Sequence, residues 1–196
     1  MGMVRARVVA AVAVIGLAAG CSGAGNRGTT TGFVSGDGSI ERVDVAERKP
    51  APVLEGEALD GTPLSTADFA GKTIVVNLWG SWCAPCRAEA PELQTVAAEY
   101  ADKDVQFVGI TTRSRNSAAS IAFNRKYGIT YPSFADQGGK LELEFNDSLP
   151  TIAIPTTWII DSEGRVAVRV IDKVSASVLA NLIDDVREST APKSPA

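Results

Sequence analysis

The sequence predicts an α/β domain, a mixed sheet sandwiched between helices. Three observations carry that prediction. Residues 74–79 (Ile-Val-Val-Asn-Leu-Trp) and 105–110 (Val-Gln-Phe-Val-Gly-Ile) are nearly continuous apolar runs, the pattern of parallel strands buried on both faces. Each run is followed by a segment of helical period, over 85–100 and 116–127. Residues 156–160 and 165–171 then flank an Asp161-Ser162-Glu163-Gly164 turn and lead into a third helical segment, as an antiparallel pair closing the sheet would.

In chain order, residues 57–64 read as a short hairpin around Asp60-Gly61. Helix 85–100 has apolar residues at Ala90, Leu93, Val96, Ala97 and Tyr100, with Pro91 expected to kink it. Helix 116–127 starts on Asn116 or Ser117 as N-cap and stops at Gly128. Residues 131–135 fit either a short strand or a loop. Helix 175–188 gathers Leu179, Leu182, Ile183 and Val186 on one face.

The N-terminal region reads differently. Arg5 and Arg7 precede an apolar stretch over 8–19, too short for a bilayer span of about 20 residues, so residues 1–20 read as an export signal. The signal ends Leu17-Ala18-Ala19-Gly20-Cys21, which resembles a bacterial lipoprotein signal. That resemblance implies lipid on Cys21 and cleavage before it. The competing readings are an ordinary cleaved signal in which Cys21 falls by chance, and an uncleaved helix. Residues 21–49 lack a sustained apolar period and read as a flexible lipid-anchored tether, with Ile40, Val43 and Val45 as the material for one extra strand. The domain is expected over 50–190, and 191–196 is expected to be a loose tail.

Composition excludes several functions. Removing residues 1–20 takes two basic residues and no acid, so the formal charge moves from −4 to −6. Such an acidic domain has no electrostatic basis for binding nucleic acid. The chain has no histidine, which excludes a His base, a His-ligated metal and a c-type haem site, and Cys86 is followed by Arg87 where that haem motif needs His.

The most reactive feature is Trp82-Cys83-Ala84-Pro85-Cys86, placed between strand 74–79 and helix 85–100. It puts Cys83 at a helix N-terminus, where free N–H groups and the helix dipole favour a thiolate. Cys83 is therefore the expected nucleophile and Cys86 the resolving thiol of a mixed disulfide. A structural bridge closing so short a loop would gain little chain entropy, and two cysteines without histidine cannot complete a zinc site. Ala84 and Pro85 set the local geometry and so the redox potential. No cofactor and no metal is expected.

Four stretches together resemble a known family: Gly71-Lys72; Val76-Asn77-Leu78-Trp79 running into the CxxC motif; Arg87-Ala88-Glu89-Ala90-Pro91; and Ile154-Pro155-Thr156-Thr157-Trp158-Ile159-Ile160-Asp161 followed by Gly164. The family is the thioredoxin-like extracytoplasmic thiol–disulfide oxidoreductases of the TlpA/ResA/DsbE kind. The resemblance implies a thioredoxin-like α/β/α sandwich with a mixed central sheet, an N-terminal hairpin extension, and a helix and strand inserted over 112–150. It implies a cis Pro155 facing the CxxC motif, so that Ile154 and Thr156, with Trp82, bind an extended partner peptide. Asn77 stands where cytosolic thioredoxin has a buried Asp, and Glu89, three residues after Cys86, takes the acid's place as a group tuning thiol pKa and relaying protons.

The implied partners are exported protein thiols and disulfides, apocytochrome c among them, together with a membrane redox partner. The implied location is the extracytoplasmic face of the bacterial cell membrane. Three other functions compete. A general disulfide oxidase differs only in its potential. A thiol peroxidase of the peroxiredoxin kind would carry Thr where this chain has Gly80. A Cu(I)-binding lipoprotein of the related copper-carrier kind would add a histidine that this chain lacks.

Overall fold

The computed structural model describes residues 31–33, 39–151 and 153–191. The strands in chain order are β1 (Thr31–Phe33), β2 (Ile40–Val43), β3 (Glu55–Glu57), β4 (Pro63–Ser65), β5 (Thr73–Trp79), β6 (Val105–Thr112), β7 (Ser133–Asp136), β8 (Thr156–Ile160) and β9 (Val166–Ile171). The helices are α1 (Ala84–Glu99), α2 (Ser117–Tyr127) and α3 (Ala176–Thr190). Seven strands form one sheet in the order β1-β2-β9-β8-β5-β6-β7, and β3 and β4 form the short hairpin around Gly61. β6 and β7 run parallel to β5, whereas β8 is antiparallel to it, so the sheet is mixed.

β5 is buried along its whole length because both of its faces meet a core. Val75 joins Leu93 and Val96 of α1, Tyr100 at its C-cap, and Leu179, Leu182, Ile183 and Val186 of α3. Ile74, Val76 and Leu78 face the other way, toward Leu54, Phe145 and Trp158. All three α-helices cover the first face, because the parallel crossovers β5-α1-β6 and β6-α2-β7 step in the same direction along the sheet. The opposite layer is built from shorter pieces. There a 3-10 helix, Leu141–Asp147, lays Phe145 flat on Trp158 at 4.1 Å between ring centroids, and the Trp158 indole N–H donates to the Leu149 carbonyl.

The local signals explain the helix ends. Asn116 Oδ1 accepts from Ala118 N, and Gly128 takes φ 67° at the end of α2. Ser175 caps α3. α1 continues past Pro91 to Glu99. β7 overlaps the stretch 131–135 and extends it to Asp136, so that stretch holds a strand, and it lies at one edge of the sheet.

The tether expected over 21–49 ends earlier than its predicted boundary. β2 pairs with β9, Ile40 opposite Val170 and Arg42 opposite Val168, and β1 pairs with β2. Arg48 then reaches into the domain: its guanidinium donates to Asp161, Ser189 and Thr190, and the Asp161 carboxylate is fully buried. The folded region therefore begins before Pro50. Ile40 and Val43, material for one extra strand in that segment, lie in β2, whose partner is about 130 residues away in sequence. The export signal, Cys21 and residues 192–196 of the tail lie outside the described residues. Among the described residues no helix is long and apolar enough to cross a membrane.

Candidate active site

β5 ends at Trp79 and the chain turns at once, with Cys83 N donating to the Gly80 carbonyl. Cys83 is the N-cap of α1. Its Sγ accepts from Cys86 N at 3.2 Å, one of the N–H groups that a helix start leaves without a partner. Ala84 and Pro85 fill the first two helical positions, where proline lacks only an N–H that would be unpaired. Arg87 donates to the Ser81 carbonyl and fixes the loop before the helix. The two cysteines are joined as a disulfide with Cα atoms 5.3 Å apart, and both are buried.

The Ile154-Pro155 peptide bond is cis, and the Ile154 carbonyl oxygen lies 3.8 Å from Cys83 Sγ. Ile154 packs with Trp79, Cys83 and Cys86. Trp82 is 52% exposed, and its indole lies over Gly80: a β-carbon at position 80 would sit 2.7 Å from the ring. Thr156 departs from its predicted role. Its side chain is fully buried and engaged with Thr151 Oγ1 and the Ala153 carbonyl, so it braces the loop carrying Ile154 and is not offered to a partner. Because Thr156 begins β8, its backbone is held between β5 and β9.

Beneath the cysteines, Glu89 is buried to 1% exposure. Oε1 accepts from Asn77 Nδ2 at 3.0 Å and Oε2 from Val174 N at 3.3 Å. Asn77 gives its second amide hydrogen to Thr157 Oγ1. Burial pushes the Glu89 carboxyl up to about 7, and the nearby Asp172 charge adds to the rise; the hydrogen bonds from Asn77 and Val174 only partly oppose it. A groove of about 410 Å³, lined in part by Ala88, Glu89, Glu92, Lys173, Val174 and Val178, opens beside this carboxyl. Glu89 thus combines burial, a near-neutral pKa and a route to solvent.

The structure brings Cys83, Cys86, Ile154, Pro155, Asn77 and Glu89 together from three stretches of chain, with Trp82 at the rim. It adds Val174, whose contribution is a backbone N–H that no residue type could signal. It also adds Phe123 of α2, which stacks on Trp79 at 4.4 Å and closes the wall behind the disulfide. Arg113, exposed on the loop after β6, pairs with Glu142.

The model of the Redoxin family matches residues 45–182, more than half of the chain. The thioredoxin-like protein YneN of Bacillus subtilis is 33% identical over 127 residues, 64% of this chain and 72% of that protein. The thiol-disulfide oxidoreductase ResA of Bacillus thuringiensis subsp. konkukian is 28% identical over 126 residues, 64% of this chain and 69% of that protein. Among solved structures, a DsbF homologue from Corynebacterium diphtheriae superposes with a TM-score of 0.71 at 35% identity, covering 81% of this chain and 99% of that one. A secreted thiol-disulfide isomerase from Corynebacterium glutamicum gives 0.70 at 29%, covering 78% and 96%. The fold, the disulfide at the start of α1 and these likenesses agree: the chain belongs to the Redoxin family and is a thiol–disulfide oxidoreductase of the ResA/DsbE kind.

Proposed function

We propose that this oxidoreductase is exported, is tethered to the outer face of the cell membrane by lipid on Cys21, and exchanges disulfides with exported proteins. In this reading its substrates are cysteine pairs of unfolded or extended segments, with the haem-binding thiols of apocytochrome c as the specific case, and a membrane redox partner restores its oxidation state. The observation that carries the reading is the Cys83–Cys86 pair at the α1 N-terminus, set against the Ile154 carbonyl with Glu89 below. The relatives named ResA support the chemistry, and neighbours described as secreted support the compartment.

The residues divide the work as follows. In the reduced protein the Cys83 thiolate attacks a partner disulfide; a Cys83–partner bond forms and one partner thiolate leaves. Cys86 then attacks Cys83 Sγ, the internal disulfide closes and the second partner thiolate departs. The helix N-terminus stabilises the Cys83 anion. Trp82 and the Ile154 backbone receive the extended peptide. Asn77 orients Glu89, and Glu89 stores the proton that Cys86 gives up, exchanging it with solvent through the adjoining groove. Ala84 and Pro85 set the potential.

Replacement of Cys86 by Ala removes the second step. That variant is expected to accumulate a covalent Cys83–partner species in the exported fraction, identifiable by mass spectrometry; a folded variant that captures nothing would refute the exchange mechanism. A midpoint potential against glutathione then separates reductase from oxidase, because for a two-electron couple about 30 mV is a tenfold change in equilibrium constant.

A further inference from the structure

Beside Cys86, and not lined by Cys83, lies a narrow cavity of about 10 Å³. Its polar lining comes from Cys86, Asn77, Asn124 of α2 and Tyr131; the rest is apolar, with Trp79 and Phe123 among it. This volume is the least that admits one water. Asn124 Oδ1 is buried and has no hydrogen-bond partner among the described residues. A buried acceptor left in that condition is costly, and native proteins commonly satisfy it with an ordered water. The Asn77 amide cannot serve, since both of its hydrogens are taken by Glu89 and Thr157.

We propose that this cavity holds a single water bound to Asn124 Oδ1, and that the water is the hydrogen-bond partner of the Cys86 sulfur once the disulfide opens. Asn124 is then a positioning residue for the resolving half of the reaction. In that half the Cys86 S–H bond breaks, its sulfur bonds to Cys83, the Cys83–partner bond breaks, and the partner thiolate leaves. The proton lost by Cys86 is matched by the one the departing thiolate takes up, so no outside oxidant enters. A water donating one hydrogen to Asn124 and the other to Cys86 stabilises the sulfur as its charge develops. The other ionisable groups facing Cys86 and its carboxyl neighbour are Cys83 and Glu89 on α1, Tyr131 ahead of β7, and Asp172 between β9 and α3. Tyr131 is held as the neutral phenol by its burial, reinforced by Glu89.

The test separates the two cysteines. An Asn124→Leu variant is expected to raise the Cys86 thiol pKa by about one unit and slow resolution of the mixed disulfide about tenfold. Attack by Cys83, read by iodoacetamide labelling, stays unchanged, since Cys83 does not line the cavity. A purely structural role would move stability and both steps together. Unchanged Cys86 acidity and resolution rate in a folded variant overturn the proposal. If the variant fails to fold, a high-resolution crystal structure of the unaltered reduced protein decides: a water bridging Asn124 Oδ1 and Cys86 Sγ supports it, and a dry cavity refutes it.

Discussion

Glu89 carries a measurable signature because its carboxyl is harder to ionise folded than unfolded. Its pKa rises from 4.5 to about 7, so between these values the folded protein binds more protons than the unfolded chain. The group's contribution is therefore fully present below about pH 4.5 and is lost as the pH rises through about 7. The loss is on the order of 3 kcal/mol at ~1.4 kcal/mol per pKa unit. Glu89→Gln is expected to remove that slope from urea-unfolding free energies measured across pH 4–8, and to shift the Cys86 thiol pKa; identical thiol titrations in the two proteins would end its role as proton store. At this scale the sequence was partly legible. The CxxC motif is local and shows itself. The position of Glu89 three residues beyond Cys86 is also local, but its burial is not. It depends on Val174, 85 residues later, folding over the carboxyl, and a glutamate on a helix ordinarily faces water. Thr156 shows the reverse case: the motif around Pro155 is local and visible, and only the fold turns the hydroxyl inward.

Among the elements, β6 shows how closely the sheet supports the site. Gly109 sits where a β-carbon would collide with Ser133 Oγ and lie 2.8 Å from Trp79 Nε1, and Trp79 packs in the cluster that holds Cys86. Gly109→Ala is expected to cost about 1–3 kcal/mol through overpacking, read as a lower urea midpoint with unchanged slope. A midpoint equal to that of the unaltered protein would show that Ser133 and Trp79 can yield. The elements readable from sequence were those with local punctuation: α2 between Asn116 and Gly128, α3 after Ser175, and β8–β9 around Gly164. The 3-10 helix Leu141–Asp147 has none: it alternates Leu and Glu before Phe145, and its place is set by the stacking of Phe145 on Trp158. For β2 the apolar material, Ile40 and Val43, is visible in the sequence, but its place beside β9 is not.

For the whole molecule, the correction at the N-terminus becomes a prediction. A chain beginning at Thr31 keeps β1, β2 and Arg48, whereas one beginning at Pro50 uncovers the edge of β9 and leaves Asp161 with Arg165 alone as its cationic partner. Removing one side of so buried a pair costs on the order of 3 kcal/mol, and an unpaired strand edge promotes association. The shorter chain is expected to unfold at lower denaturant than the longer one and to form oligomers in sedimentation; equal stability of the two would show that residues 31–49 are dispensable. The same long-range assembly bears on when the chemistry can start. The carboxyl under the cysteines is oriented from Asn77 and from Val174, and the carbonyl beside Cys83 comes from Ile154, so strands from the middle and end of the chain must both be in place. An unfinished polypeptide therefore carries two untuned thiols, and the site is complete only once the chain has folded as far as Val174.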